Sequence, residues 1–227
     1  MIDVRYFSGS GHCAHIASVC AKALGTHAQS MKEGARCEET LLFIFPVYGE
    51  RVPPPAEKFL KNCRAKYAAF IAVYGGMSYG RALWDAQKRF AGTVVGAAYL
   101  PAEHSLVNDG FRAPTELLAP LLAKLKAENF SEVHIPRTRR HPLSFAPALR
   151  SRIGVRLVRD ERCTKCGGCD DVCPMHAMHK GAADQRCIRC LACVAACRQN
   201  ALSFRLHPLL ARYLAVRRRN ETVLFLD

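Results

Sequence analysis

Cysteines are the residues of this chain most able to do chemistry, and eight of the twelve lie between Cys163 and Cys197. They form two runs of identical spacing, C-x2-C-x2-C-x3-C, offset by 24 residues. In such a run, three thiolates at two-residue gaps can hold three corners of an iron-sulfur cubane, while the fourth ligates the neighbouring cluster. This exchange of the fourth ligand between the two runs, which we call the crossing, predicts two 4Fe-4S clusters. One ligand set is Cys163, Cys166, Cys169 and Cys197, and the other is Cys173, Cys187, Cys190 and Cys193.

Other uses of these eight cysteines fit the spacing less well. Zinc sites use pairs of C-x2-C separated by a longer spacer and need only four ligands per ion, whereas here triplets are followed by a displaced fourth residue. In a reducing compartment, dense cysteines hold metal or do redox chemistry more often than they form disulfides. The repeat also extends beyond the cysteines, because Ala177 and Met178 recur as Ala201 and Leu202. An internal duplication is the simplest interpretation.

The stretch over 159–206 resembles a bacterial two-cluster ferredoxin module, with all eight ligand positions matched. Pro174 follows Cys173 as in that family, but Arg198 follows Cys197. The resemblance implies a C-terminal α+β ferredoxin-like domain over 156–206. Four further cysteines have no partner spacing, and one of them, Cys20, lies on the apolar face of a predicted helix and is expected to pack as a small core residue. The other three are Cys13, Cys37 and Cys63.

The part of the chain before these cysteines alternates short apolar runs with helical patterns. Strand-like runs cover 4–7, 41–45, 68–74 and 93–100, with a shorter run over 27–31. Helical patterns begin near 12, 54, 81 and 115. Strands separated by helix-length segments predict βαβ units and a parallel sheet covered on both faces. A ligand crevice is expected beyond the carboxyl ends of the strands, where the loops over 8–13, 46–55 and 74–80 meet.

The first of these loops, Ser8-Gly-Ser-Gly-His-Cys13, offers backbone N–H groups, two hydroxyls and a helix N-terminus, which together can hold a phosphate. No Lys-Ser or Lys-Thr follows its last glycine, so it is not a Walker loop. Gly9, Gly11 and Ala14 satisfy the dinucleotide pattern G-x-G-x-x-G/A, a weak signal by itself.

Residues 1 to about 130 resemble a flavodoxin, and nearly the whole chain resembles the EFR1 family of flavodoxin and ferredoxin fusions. That resemblance implies a doubly wound sheet of order 2-1-3-4-5 with FMN in its crevice. The FMN phosphate would be bound by Ser8, Gly9, Ser10, Gly11, His12 and Cys13, of which the last two replace an amide and a hydroxyl of the family. The isoalloxazine ring would be bordered by Pro46, Val47, Tyr48, Gly49, Tyr74, Gly75, Gly76 and Tyr79. The alternative is a flavodoxin-like scaffold without flavin.

The chain carries 33 Lys and Arg against 19 Asp and Glu, a formal net charge of +14, while half its residues are hydrophobic. This apolar content supports a packed core and excludes disorder as the main theme. No nucleic-acid motif accompanies the basic residues, and steering of acidic redox partners suits them better. No apolar run reaches about 18 residues, the length of a membrane span. The first residues lack the features of a signal peptide, so a cytoplasmic protein is expected.

The sequence predicts four segments: a flavodoxin-like FMN-binding domain over 1–134, a basic linker over 135–155, a two-cluster ferredoxin domain over 156–206 and a helical extension over 207–227. The extension is expected to pack on a domain face, with contact to a membrane surface as the alternative. The predicted function is that of an electron carrier in which the cofactors do the redox work and no side chain is catalytic. A flavin-dependent reductase of a small substrate is the alternative, and a redox-sensing nucleic-acid binder is a third class.

Overall fold

The computed structural model describes residues 2–31, 37–138 and 147–227. The first part of the chain contains β1 (Ile2–Tyr6), α1 (His12–Leu24), β2 (Ala28–Ser30), β3 (Thr40–Pro46), α2 (Pro54–Asn62), β4 (Tyr67–Tyr74), α3 (Ala82–Gln87) and β5 (Thr93–Pro101). A 3-10 turn, Thr115–Leu118, then leads into α4 (Ala119–Lys126). The predicted strands and helices of this region are therefore present, although α3 and α4 are shorter than their patterns indicate.

These strands form one parallel sheet in the order β2-β1-β3-β4-β5. This is the order that the resemblance to flavodoxins implies. The central strands β3 and β4 are almost continuously buried, as expected for parallel strands covered on both faces. Phe43, Phe45 and Phe70 pack on one face under α2 and α3. Leu42 and Ile44 pack on the other face under α1 and α4.

The second part of the chain contains α5 (Pro147–Gly154), β6 (Val155–Arg159), α6 (Gly168–Asp171), β7 (Met178–His179), β8 (Ala182–Ala183), α7 (Ala192–Ala195) and β9 (Leu202–Leu206). Strand β6 pairs with β9 and β7 pairs with β8, both antiparallel. The basic linker predicted over 135–155 thus includes a helix, and Ile135 packs in the core of the first part. Two of its predicted basic residues, Arg139 and Arg140, lie outside the described residues.

The two cysteine runs have the same backbone structure at the 24-residue offset. Helix α7 lies 24 residues after α6, and β8 repeats the last two residues of β6. The hydrogen bonds are reciprocal: the N–H of Asp160 donates to Ala201 O at 3.0 Å, and the equivalent N–H of Asp184 donates to Ala177 O at 2.8 Å. Each half therefore completes the backbone hydrogen bonds of the other, as the predicted duplication requires.

The C-terminal segment departs from the prediction of a helical extension over 207–227. Only α8 (Pro208–Leu214) is helical, and the chain then forms β10 (Val223–Phe225), which pairs antiparallel with β5. The segment therefore adds a sixth strand to the edge of the first sheet instead of only packing on a face. A three-residue apolar strand carries too little periodicity to be distinguished from a helix end in the sequence. Within the described ranges, the helices are too short or too polar to span a bilayer.

Candidate functional site

A cavity of about 180 Å³ lies at the carboxyl ends of β1, β3 and β4, where the three predicted loops meet. The rule that ligands bind beyond the carboxyl ends of parallel strands predicts this location. The predicted residues that line it are Ser8, Gly9, Ser10, His12, Cys13, Pro46, Val47, Tyr48, Gly49, Tyr74 and Gly75. We call this cavity the crevice.

The loop after β1 presents its polar groups at the start of α1. Gly11 caps the helix with φ +98°, a conformation that favours glycine, and its N–H donates to Ser8 Oγ at 3.1 Å. The first turn of α1 contains no acidic residue, so the positive end of its dipole is not neutralised there. Ser10 Oγ lies 2.8 Å from Ser105 Oγ, and His12 Nε2 lies 4.0 Å from Glu103 Oε2.

Cys13 lines the crevice but is itself buried, and Tyr48 beside it is partly buried. Burial raises the pKa of the Cys13 thiol well above its usual value, so this side chain is a neutral thiol. Burial also raises the pKa of Tyr48, with smaller contributions from Cys190 and Cys13. The Tyr48 ring packs edge-on against Phe7 with centroids 6.4 Å apart. Both residues thus form the apolar wall of the crevice.

Three of the predicted flavin residues, Gly11, Gly76 and Tyr79, do not line the crevice. The Tyr79 ring stacks on Tyr99 with centroids 4.0 Å apart, and its hydroxyl donates to Glu221 Oε1 at 3.2 Å. Gly76 O accepts the N–H groups of Arg218 and Arg219 at 2.8 and 2.9 Å. The C-terminal segment thus covers Tyr79 and Gly76 in this structure, and their place at a flavin ring stays a prediction.

The loop after β5 supplies crevice residues that were not predicted, namely Glu103, His104, Ser105 and Leu106. Burial lowers the pKa of His104, and its Nδ1 accepts the N–H of Leu106 at 3.2 Å. Its imidazole occupies the space beside Gly75, where an added Cβ would lie 2.8 Å from His104 Cγ. The rule that places the other three loops at this edge also applies to β5, so the signal was present in the sequence.

Residues of the cysteine-rich part complete the crevice, and no sequence pattern indicated them. Ile188 and Arg189 lie between two predicted cluster ligands and line the cavity, together with Ser151 and Val155. The backbone of Cys190 packs directly on the first loop, since an added Cβ on Gly9 would lie 2.8 Å from the carbonyl carbon of Cys190. The two parts of the chain therefore meet at the crevice itself.

The first predicted ligand set lines a second cavity, of about 460 Å³, at the protein surface. All four of its cysteines face this cavity, and Cys166 is exposed. Three glycines border it, and an added Cβ on one of them, Gly181, would lie 3.2 Å from Cys163 Sγ. The crossing thus brings Cys197 into the same cavity as Cys163, Cys166 and Cys169.

The second predicted ligand set is buried, and its four thiols are electrostatic neighbours. Burial raises the pKa of Cys193 to about 12, with further contributions from Cys190, Cys187 and Cys173. Cys190 belongs to the apolar core that also contains Phe45 and Phe70. Among the described residues, no three His, Cys, Asp or Glu side chains converge closely enough for a single metal ion.

Two of the remaining cysteines, which have no partner spacing in the sequence, contact each other. The Cys37 thiol donates a hydrogen bond to Cys63, and this bond lowers the pKa of Cys63 to about 7. The two residues are far apart in the sequence, so spacing gave no signal. Cys20 is fully buried on α1, as its apolar helix face predicted.

Comparisons with known proteins find similarity at the level of structure. No protein-family model matches the sequence, and no curated protein matches it. A flavodoxin from the domain Archaea is similar, with 16% identity, a TM-score of 0.42 and coverage of 56% of this chain and 96% of its own. A two-electron reduced flavodoxin of Megasphaera elsdenii has 21% identity, a TM-score of 0.37 and coverage of 55% and 99%. The flavodoxin-like assignment of the first sheet therefore rests on its strand order and crevice.

Proposed function

We propose that this chain is an electron-transfer protein that relays electrons between FMN and two 4Fe-4S clusters, to or from redox partner proteins. The observation that carries the proposal is the packing of Cys190, a predicted cluster ligand, on Gly9 of the predicted phosphate loop. Electron relay requires neighbouring cofactor sites, and this contact puts the second ligand set beside the crevice.

The donor set of the crevice suits a flavin phosphate. The Ser8 and Ser10 hydroxyls and the start of α1 offer uncharged donors, His12 adds an imidazole, and Arg189 adds a cationic side chain. The crevice is smaller than the roughly 300–1,000 Å³ of most cofactor sites. A whole flavin therefore exceeds this crevice, and in this proposal the residues named here hold its phosphate end.

The donor sets of both cysteine groups suit iron-sulfur clusters, because each presents four sulfur ligands. Their surroundings differ: the first set lies at the surface, whereas the second is buried against the crevice. In this proposal, the second set serves the flavin side and the first set serves the partner. Lys180 and Arg198 stand at the rim of the first cavity, with Asp171 as an acidic neighbour. This rim suits a partner with an acidic surface.

When bound, FMN exchanges one or two electrons, and each cluster exchanges one. In this proposal, the chain's own residues hold these groups and keep water away from the flavin and the cluster of the second ligand set. Tyr48 and Cys13 are uncharged walls of the crevice, and burial lowers the pKa of His104, so its imidazole is neutral near pH 7. No acid or base is required of them for electron transfer.

Anaerobic purification of the full chain, followed by iron, sulfide and flavin quantitation on one sample, tests the proposal. We expect about eight irons, about eight sulfides and one FMN per chain. Zinc without sulfide would refute the clusters. Eight irons with no flavin, even after FMN is added, would refute the flavin half. The rate at which the chain reduces an acidic carrier protein should fall with rising ionic strength. The fall should be smaller for the double variant Lys180→Gln and Arg198→Gln, which lacks two of the charges at the rim of the first cavity.

A further inference from the structure

We propose that Arg189, a residue of the cysteine-rich part, is a ligand for the phosphate group of the molecule that binds in the crevice. This inference rests on the proposed function, because it takes FMN to be that molecule. It adds a specificity role: the cysteine-rich part would select a phosphorylated flavin over one without phosphate.

The Arg189 guanidinium has an unsatisfied hydrogen-bond donor. Arg189 lines the crevice with Ser8 and Ser10, and its Nε donates to Val155 O at 2.8 Å. Its Nη1 is buried, and no residue that the structure describes accepts a hydrogen bond from it. A buried charged donor without a partner is costly, so such groups are normally paired. An anionic oxygen in the crevice would supply the missing acceptor.

The two cysteine repeats carry different basic residues at this position. Lys165 stands at the equivalent position of the first repeat, and the backbones match, with φ +56° at Lys165 and +58° at Arg189. The Lys165 side chain is exposed, whereas the Arg189 side chain is partly buried in the crevice. The cluster loop therefore needs no arginine at this position. What distinguishes Arg189 is its place against the phosphate loop.

The crevice contains few other charged groups. Its other ionisable side chains are His12, Glu103 and His104, apart from Cys13, Tyr48 and Tyr74, whose pKa values burial raises. Glu103 accepts the N–H of Gly110 at 2.9 Å and lies 4.0 Å from His12 Nε2, so it faces its own loop and His12. Arg189 is then the permanent positive charge, and a planar guanidinium suits two phosphate oxygens at once.

Equilibrium dialysis of the anaerobically purified full chain against FMN and against riboflavin tests the assignment. The variants are Arg189→Gln, Arg189→Lys and, as the matched control from the other repeat, Lys165→Gln. We expect Arg189→Gln to lower the affinity for FMN about tenfold to a hundredfold, as loss of a charge-assisted hydrogen bond does, and to leave riboflavin binding unchanged. Lys165→Gln should leave both affinities unchanged. Iron content checks the fold of each variant.

The outcomes separate this inference from the proposed function. An Arg189→Gln protein that keeps the wild-type preference for FMN over riboflavin overturns the role of Arg189 and leaves the electron relay intact. A wild-type protein that binds neither flavin overturns both. Arg189→Lys keeps the charge and should retain part of the preference. If it is as defective as Arg189→Gln, the residue acts through structure and the assignment fails. If Arg189→Gln loses iron, Arg189→Met, which removes the charge and keeps an unbranched side chain, takes its place, and a wild-type preference for FMN in that variant overturns the assignment.

Discussion

The contact between Gly9 and Cys190 makes a sharp prediction for Gly9→Ala. An alanine Cβ would lie 2.8 Å from the carbonyl carbon of Cys190, 3.0 Å from its Cβ, and closer still to the carbonyl oxygen. Carbon atoms in contact normally lie about 3.5–4.0 Å apart, so the two segments must separate by roughly 1 Å. The obstructing atoms are mainly backbone, so no side-chain rotation relieves the clash.

We expect Gly9→Ala to lower the free energy of unfolding by about 1–3 kcal/mol, the usual cost of overpacking. For a chain of this size, that corresponds to a fall in Tm of roughly 2–12 °C. The flavin affinity should fall as well, because the phosphate loop moves. Circular dichroism during anaerobic thermal unfolding measures the first effect, and equilibrium dialysis measures the second.

Gly168→Ala is the matched control for this substitution. Its added Cβ would meet only Cys166 Sγ, at 3.8 Å, which is an ordinary contact. The equivalent position of the second repeat, Ala192, already carries alanine. Gly168→Ala should therefore unfold at the Tm of the wild type or slightly above it. If Gly9→Ala has the same Tm as Gly168→Ala and binds flavin normally, the close packing of the two parts at the crevice is wrong.

Three further substitutions test the cluster ligation, the crevice and the C-terminal segment. Cys197→Ser should reduce the iron content from about eight to about four per chain, whereas Cys20→Ser should leave it unchanged; an unchanged content in Cys197→Ser would contradict the assignment of Cys197 as a cluster ligand. The pKa of His104 is lowered by burial, so the unfolded state binds more protons below about pH 6.5 and the free energy of unfolding falls as the pH decreases. His104→Gln should flatten this dependence between about pH 7.5 and 5.5 in urea titrations, and an unaltered slope would rule the residue out. Arg217 donates to Ala102 O at 2.7 Å and pairs with an aspartate at 2.9 Å, so Arg217→Ala should cost about 1–3 kcal/mol and expose the C-terminal segment to protease. Arg218→Ala, at an exposed side chain, is the control. If protease cleaves Arg217→Ala no faster than Arg218→Ala, Arg217 does not hold the C-terminal segment in place.

Features that depend on local spacing could be predicted from the order of residues. The two cysteine runs and their 24-residue repeat are visible because each half forms the same local turn and helix, with Asp160 and Asp184 in equivalent bonds. The alternation of buried strands and helices predicted the sheet, and the strand order then placed the crevice at the carboxyl ends. These inferences succeed because backbone geometry over a few residues fixes them.

Contacts between distant segments became visible only in the folded chain. Nothing in the spacing of Arg189 indicates that it lines the crevice, since its equivalent Lys165 is exposed. The covering of Tyr79 depends on the return of the chain to form β10, more than 140 residues later. Such contacts follow from the packing of whole surfaces. Local propensity does not predict them, because the residues around one contacting segment do not depend on the identity of the distant segment that it contacts.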